Sequence, residues 1–210
     1  MIAIVDYGMG NLHSVSRAVE RLGYKPTVTA NKDSLLQADG IILPGVGAFG
    51  DAMEMLRASG LDHVLRTAAE RGIPLLGICL GMQLLFHESE EYGIHKGLSL
   101  LPGRVVRFAG DSYKVPHMGW NQVTWLQPSS VLTSSLVEGH VYFVHSYYVE
   151  VEEATDLIAT CPYGGVEVAA IVGRSNVYGM QFHPEKSGEL GLQLLRSFLE
   201  LCHTRVHETP

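Results

Sequence analysis

Hydrophobic and polar positions follow two rhythms along the first half of the chain. Ile2–Val5 is a short continuous apolar run, the pattern of a strand buried on both faces. It gives way to Leu12, Val15, Val19 and Leu22, apolar at three- and four-residue spacing, with Asn11 placed to cap a helix and Gly23 to stop it. Residues 25–29 and Gly40–Leu43 read as two further strands, and 52–57 and Leu61–Glu70 as helices. Residues 74–78 read as a strand feeding a helix over 80–87. Strands alternating with helices at this spacing predict a parallel sheet covered on both faces.

From 104 to 181 the rhythm shortens. The runs 105–108, 141–144, 168–172 and 177–181 are β-branched or aromatic, separated by turn residues such as Gly110-Asp111, Gln127-Pro128 and Gly164-Gly165. They predict hairpins that add to the same sheet. A last helix over 190–203 places Leu190, Leu194, Phe198 and Leu201 on one face. No repeat or linker interrupts the pattern, which predicts one α/β domain over 1–203 and a short tail over 204–210.

Composition narrows the class. At roughly 100–200 residues per domain, 210 residues fit one large domain. With 46% hydrophobic and 18% charged residues, the chain can bury a sizeable core. Twenty-two acidic against 15 basic residues leave a net charge of −7, which argues against nucleic acid or an anionic membrane surface as the main partner. The three cysteines, Cys79, Cys161 and Cys202, form no C-x-x-C pair; their odd number points to a reducing, cytoplasmic compartment, and no metal or other cofactor is expected. Asp6 cuts the first apolar run short, so it reads as a strand rather than a signal peptide, and no run approaches the ~18 apolar residues of a membrane span.

Open α/β sheets place their sites at the carboxyl ends of strands. After the strand at 74–78 comes Gly77-Ile78-Cys79-Leu80-Gly81, a G-x-C-x-G at a strand-to-helix turn, the thiol form of a nucleophile elbow. The turn exposes its central side chain at a helix N-terminus, where dipole and free N–H groups favour a negative sulfur, and the N–H of Leu80 can meet an oxyanion. The plainer alternative is a small buried hydrophobe closing a core strand. Cys161 and Cys202 read in that plainer way.

A Cys nucleophile needs a base, and of ten histidines His183 stands apart, in Gln181-Phe182-His183-Pro184-Glu185 after a strand. Pro184 drives His183 into an extended conformation, in which positions i and i+2 share a side. His183 and Glu185 are therefore expected side by side, the carboxylate fixing the imidazole tautomer. An exposed turn with a solvated His and Glu is the alternative.

These motifs, Gly77-Ile-Cys79-Leu-Gly81-Met-Gln83 and His183-Pro-Glu185, resemble those of the class I (triad) glutamine amidotransferases, which release ammonia from the side chain of L-glutamine and pass it to a synthase. The segments Asp6-Tyr-Gly-Met-Gly-Asn-Leu12, Pro44-Gly-Val-Gly-Ala-Phe49, Pro116-His-Met-Gly-Trp-Asn121 and Lys186-Ser187 narrow the resemblance to the glutaminase subunits of imidazole glycerol phosphate synthases. It runs from residue 2 to about 200. It implies a flavodoxin-like, open, largely parallel sheet flanked by helices, with antiparallel hairpins added in the second half. It implies Cys79 as nucleophile, His183 as proton shuttle and Glu185 as its orienter. Val46 and Gly47 match the family's oxyanion strand, where a peptide flip near glycines turns an N–H toward the oxyanion, together with Leu80. Gln83, His145, Ser146 and Tyr147 match the glutamine-binding stretches.

The family also implies a partner, a (β/α)8-barrel cyclase subunit forming a heterodimer, because ammonia keeps its nucleophilicity only along a dry route. Trp120, Tyr142, Lys186, Asn11 and Met118 match positions near the exit and the docking face; a hairpin Trp is otherwise a core residue. Two rivals remain: another triad amidotransferase subunit, serving pyridoxal phosphate or anthranilate synthesis, and a non-catalytic flavodoxin-like binding module. Gly8-Met-Gly10 hints at a dinucleotide fingerprint, but His13 stands where the third Gly belongs.

Overall fold

The structure, a computed structural model, describes residues 1–208, with side chains through residue 204. Strand β1 (Ile2–Val5) is buried along its whole length and leads to α1 (Leu12–Arg21), which Asn11 caps by accepting the Ser14 N–H at 3.4 Å. Then follow β2 (Pro26–Thr29), α2 (Lys32–Leu36), β3 (Gly40–Leu43), α3 (Phe49–Ser59), α4 (Leu61–Glu70), β4 (Leu75–Ile78) and α5 (Leu80–Leu84). Side chains of each strand divide by parity between the two faces. Ala3, Val5, Ile41, Leu43 and Leu75 join α3 and α4 in one apolar layer. Ile4, Ile42, Leu76 and Ile78 join Val15 and Val19 of α1 in the other. At about 1.5–3 kcal/mol for each fully buried large side chain, these two layers hold the sheet, and exposed ion pairs such as Lys96–Glu88 add little.

The second half contributes β5 (Glu88–Ser89), β6 (His95–Lys96), β7 (Gly103–Arg107), β8 (His117–Gln122), β9 (Thr124–Trp125), β10 (His140–His145), β11 (Tyr147–Val151), β12 (Leu157–Tyr163), β13 (Val166–Arg174), β14 (Val177–Met180) and α6 (Gly188–Glu208). Strand β14 docks parallel on β4, and β13, β12 and β9 continue antiparallel. The main sheet therefore runs β2-β1-β3-β4-β14-β13-β12-β9, its parallel part in the flavodoxin-like order.

The sequence pattern led us to expect the hairpins in that same sheet, but not all of them join it. β11, β7, β5 and β6 form a second sheet, and β8 and β10 form a two-stranded ladder. The division falls at Ser146, where the chain stops pairing with β8 and starts pairing with β7. The helix expected over 80–87 ends at Leu84, because the His87 N–H bonds the Gly103 carbonyl and β5 pairs with β7. α2 was not anticipated: five residues are too few to show a period, and Asn31, accepting the Ser34 N–H at 2.9 Å, is its only local signature. Residues 204–208 of the expected tail continue α6; 209 and 210 lie outside the described residues. Among the described residues no helix is long and apolar enough to cross a membrane.

Candidate active site

Cys79 occupies the single-residue junction between β4 and α5, with φ 55° and ψ −114°. A side chain in this region costs on the order of 1–3 kcal/mol, so the surroundings must impose it. The Cys79 N–H is held by the Met180 carbonyl of β14 at 2.8 Å, and its carbonyl accepts from Met82 and Gln83. The flanking glycines permit the turn: a Cβ on Gly81 would collide with the Leu43 carbonyl, and one on Gly77 would lie 2.6 Å from the Met82 nitrogen. Leu80 opens α5, so its N–H has no intrahelical acceptor. The elbow reading holds in its geometry. Cys161 and Cys202 are buried, and burial pushes the Cys161 thiol up to about 11.

His183 follows β14, and its N–H bonds the Tyr142 carbonyl at 3.1 Å. Its backbone is extended, as Pro184 requires, but 184–186 then turn in a single 3-10 helix. The turn, rather than the expected extended i, i+2 arrangement, brings Glu185 Oε1 to 2.8 Å from His183 Nδ1. Ser187 locks the turn, donating to the His183 carbonyl at 2.6 Å and accepting from the Tyr142 N–H at 2.9 Å. The side chains of His183 and Glu185 are 4% and 1% exposed, which removes the solvated-turn alternative. Burial alone would lower the His183 pKa; hydrogen bonds with Cys79 and Glu185, and their charges, outweigh it and raise it to about 10.

Cys79 and His183 line a cavity of about 360 Å³. Val46, Gly47, Leu80, Gln83, His145, Ser146 and Tyr147 also line it. Three strand ends converge here: β3 leads to Val46, β4 to Cys79, and β14 to His183. Gly47 has φ 94°. Tyr7 anchors the same segment, donating to the Pro44 carbonyl at 2.9 Å; burial, then the charge of Cys79, raises its pKa. A larger crevice of about 720 Å³ lies near Arg104 and Glu150, away from Cys79; its Arg104 and Arg174 are already paired with Glu150 and Asp156.

Two positions read differently in the structure. His145 lines the cavity, yet both its ring nitrogens are engaged within the protein, Nδ1 by the Tyr147 carbonyl at 2.7 Å and Nε2 by His117 Nδ1 at 3.0 Å. Burial pushes His145 down to about 3, which keeps it neutral. It therefore forms wall rather than ligand contact. Glu91, which sequence reasoning missed, also lines the cavity and accepts the Phe49 N–H at 3.1 Å, while burial raises its carboxyl pKa. Within Glu90-Glu91 it reads as part of a solvated acidic face; only the contact with Phe49, 42 residues away, distinguishes it.

The expected partner-facing residues are not equally free. Met118 and Trp120 are 60% and 54% exposed on β8, so Trp120 is no core residue. Tyr142 sits opposite Trp120 in the β8–β10 ladder, ring centroids 6.1 Å apart, and Lys186 is exposed on the turn after His183. Asn11 caps α1. Among the described residues no cluster of three or more His, Cys, Asp or Glu could hold a metal ion.

The family description "Glutamine amidotransferase class-I" matches residues 3–201. Two curated relatives are each called "Imidazole glycerol phosphate synthase subunit HisH". The one from Geobacillus sp. (strain WCH70) is 54% identical over 206 residues, 96% of this chain and 97% of its own length. The one from Geobacillus kaustophilus (strain HTA426) is 55% identical over 210 residues, covering 98% and 99%. A solved structure, "Crystal structure of glutamine amidotransferase", shares the fold with a TM-score of 0.77 at 23% identity, over 97% of this chain and 100% of that one. With the thiol elbow and the His-Glu pair at the strand ends, this near-complete match means that the chain belongs to the class I glutamine amidotransferases.

Proposed function

We propose that this chain is the glutaminase subunit of an imidazole glycerol phosphate synthase, with Cys79, His183 and Glu185 as its catalytic triad. The observation that carries the reading is the placement of Cys79 and His183 in one cavity, with Glu185 buried behind the imidazole. Cys79 gives its proton to His183, and the sulfur adds to the side-chain carbonyl carbon of glutamine. The oxyanion is met by the N–H of Leu80 and by a peptide N–H of the Val46–Gly47 segment once that peptide flips. His183 returns the proton to the leaving nitrogen, the C–N bond breaks, and ammonia departs from a γ-glutamyl thioester. Water then adds as His183 takes its proton, and the C–S bond breaks to release glutamate.

Glu91 is the carboxylate that lines this cavity, which suits the α-ammonium of glutamine. Gln83, Ser146 and Tyr147 supply polar contacts to the rest of the amino acid. Stoichiometric labelling of Cys79 by an electrophilic glutamine analogue tests the site; absence of labelling overturns it.

The ammonia goes to a (β/α)8-barrel cyclase subunit in a heterodimer. The relatives' names, as subunits of a synthase, support this. So do the exposed Met118 and Trp120, with half-buried Tyr142 opposite Trp120 and exposed Lys186 on the turn after His183; Asn11 belongs to the same proposed face. Acceptor binding in the barrel permits the Val46 peptide flip and turns glutamine hydrolysis on.

A further inference from the structure

Gln181 follows β14 directly, is 0% exposed, and has no part in the triad. We propose that Gln181 is a positioning residue for the nucleophile: its side-chain amide holds a donor against the Cys79 sulfur, and a chain of directed hydrogen bonds fixes which way that amide points. The inference rests on the reading of Cys79 as nucleophile and names a group that acts on it.

The direction follows from one atom that can only accept. The Tyr147 carbonyl lies 3.0 Å from the Gln83 side-chain nitrogen and 2.7 Å from His145 Nδ1, so both donate to it. The same Gln83 nitrogen has a second hydrogen, directed at the Gln181 side chain 3.1 Å away, and the atom that receives it must be Oε1. The Gln181 nitrogen then occupies the other branch of its amide, 3.9 Å from Cys79 Sγ. Flipping the amide would set two NH2 groups against each other in a buried site and turn an oxygen toward the sulfur. Beyond Tyr147 the chain continues from His145 to His117 at 3.0 Å and from His117 to the Asn121 amide at 3.0 Å, in the strand that also presents Met118 and Trp120.

The sulfur has a second polar neighbour of opposite kind, the Val144 carbonyl at 3.9 Å. That carbonyl can accept from the S–H; Gln181 can only donate, and so favours the sulfur once His183 has taken the proton. No other bond changes in this step. The amide thus stabilises the charge that forms when the nucleophile is made, and a neutral donor does so without competing with His183 for the proton.

Two variants separate a donor from a space-filler. Gln181→Met keeps the length and removes the donor. Gln181→Glu keeps the acceptor for Gln83 and places a carboxylate where the donor stood. Alkylation of Cys79 by iodoacetamide, followed in the full-length chain by peptide mass mapping across pH 5.5–9, is expected to slow about tenfold at pH 7 in Gln181→Met, as the loss of one hydrogen bond to a charged group implies, and further in Gln181→Glu. Both profiles should move to higher pH, and kcat for glutamine should fall with KM unchanged. Gln83→Met, which leaves Gln181 in place without its anchor, should move the profile the same way by less, and reports even if the position-181 variants fail to fold. Variant profiles coinciding with the wild-type profile would overturn the proposal. If instead the wild-type thiol is not labelled by an electrophilic glutamine analogue, it is the nucleophile reading that fails.

Discussion

His183 Nδ1 lies 2.8 Å from Glu185 Oε1 with both side chains buried, and the second carboxylate oxygen, also buried, has no partner among the described residues. The negative charge of Glu185 is therefore directed at the imidazole, which it holds in the tautomer that presents Nε2 to the sulfur. Glu185→Gln keeps the shape and removes the charge. By analogy with other triads, kcat for glutamine hydrolysis should fall by about 10²–10⁴-fold, measured as glutamate release, with the fold retained by circular dichroism.

Gly47 has a φ that side chains rarely adopt, and a Cβ there would come within 2.9 Å of the Met9 methyl group. Gly47→Val restricts the peptide between Val46 and Gly47. Loss of one oxyanion donor predicts a fall in kcat of about 10²-fold with little change in KM, read from steady-state kinetics.

Glu91 predicts the opposite split. Among the described residues it makes no hydrogen bond to Cys79 or His183, but it lines the cavity as a carboxylate. Glu91→Gln should raise KM for glutamine about tenfold or more while changing kcat less, because it removes a charge contact present in ground and transition states alike.

The buried histidines set an acid limit. Folding pushes His145 down to about 3 and lowers His117 as well, both chiefly through burial. Below the unfolded value of about 6.5 the unfolded chain binds these protons and the folded chain does not, so stability falls as pH drops from about 6.5 toward 3. His183, raised to about 10, is protonated in both states once the pH is a unit or more below 6.5, and adds no slope there. By pH 5 the slope from His145 alone should approach about 1.4 kcal/mol per pH unit. Denaturant unfolding of His145→Gln should show a slope smaller by about one proton.

The parts of the fold that were legible in the sequence are those whose signal is local. Ile2–Val5 and Gly40–Leu43 are apolar at every position because helices cover both sides, and α1 carries its own cap and stripe. The elbow was legible because its geometry needs Gly77 and Gly81 beside Cys79. The break at Ser146 was not legible: it depends on which distant strand offers hydrogen bonds, β8 before it and β7 after. Glu91 and Gln181 escaped for the same reason, since their partners, Phe49, Gln83 and Cys79, are distant in sequence. His145 was legible as a site residue but not in its role, because its engagement by His117 appears only across the β8–β10 ladder.

The central claim, that Cys79 feeds ammonia to a synthase partner, is tested most directly by assaying Cys79→Ala in complex with the barrel cyclase subunit, with glutamine and with ammonium salts in parallel. Glutamine-dependent imidazole glycerol phosphate formation should fall by at least about 10³-fold, while ammonium-dependent formation stays at the wild-type rate. Persistence of the glutamine-dependent reaction, or loss of both, would contradict the account.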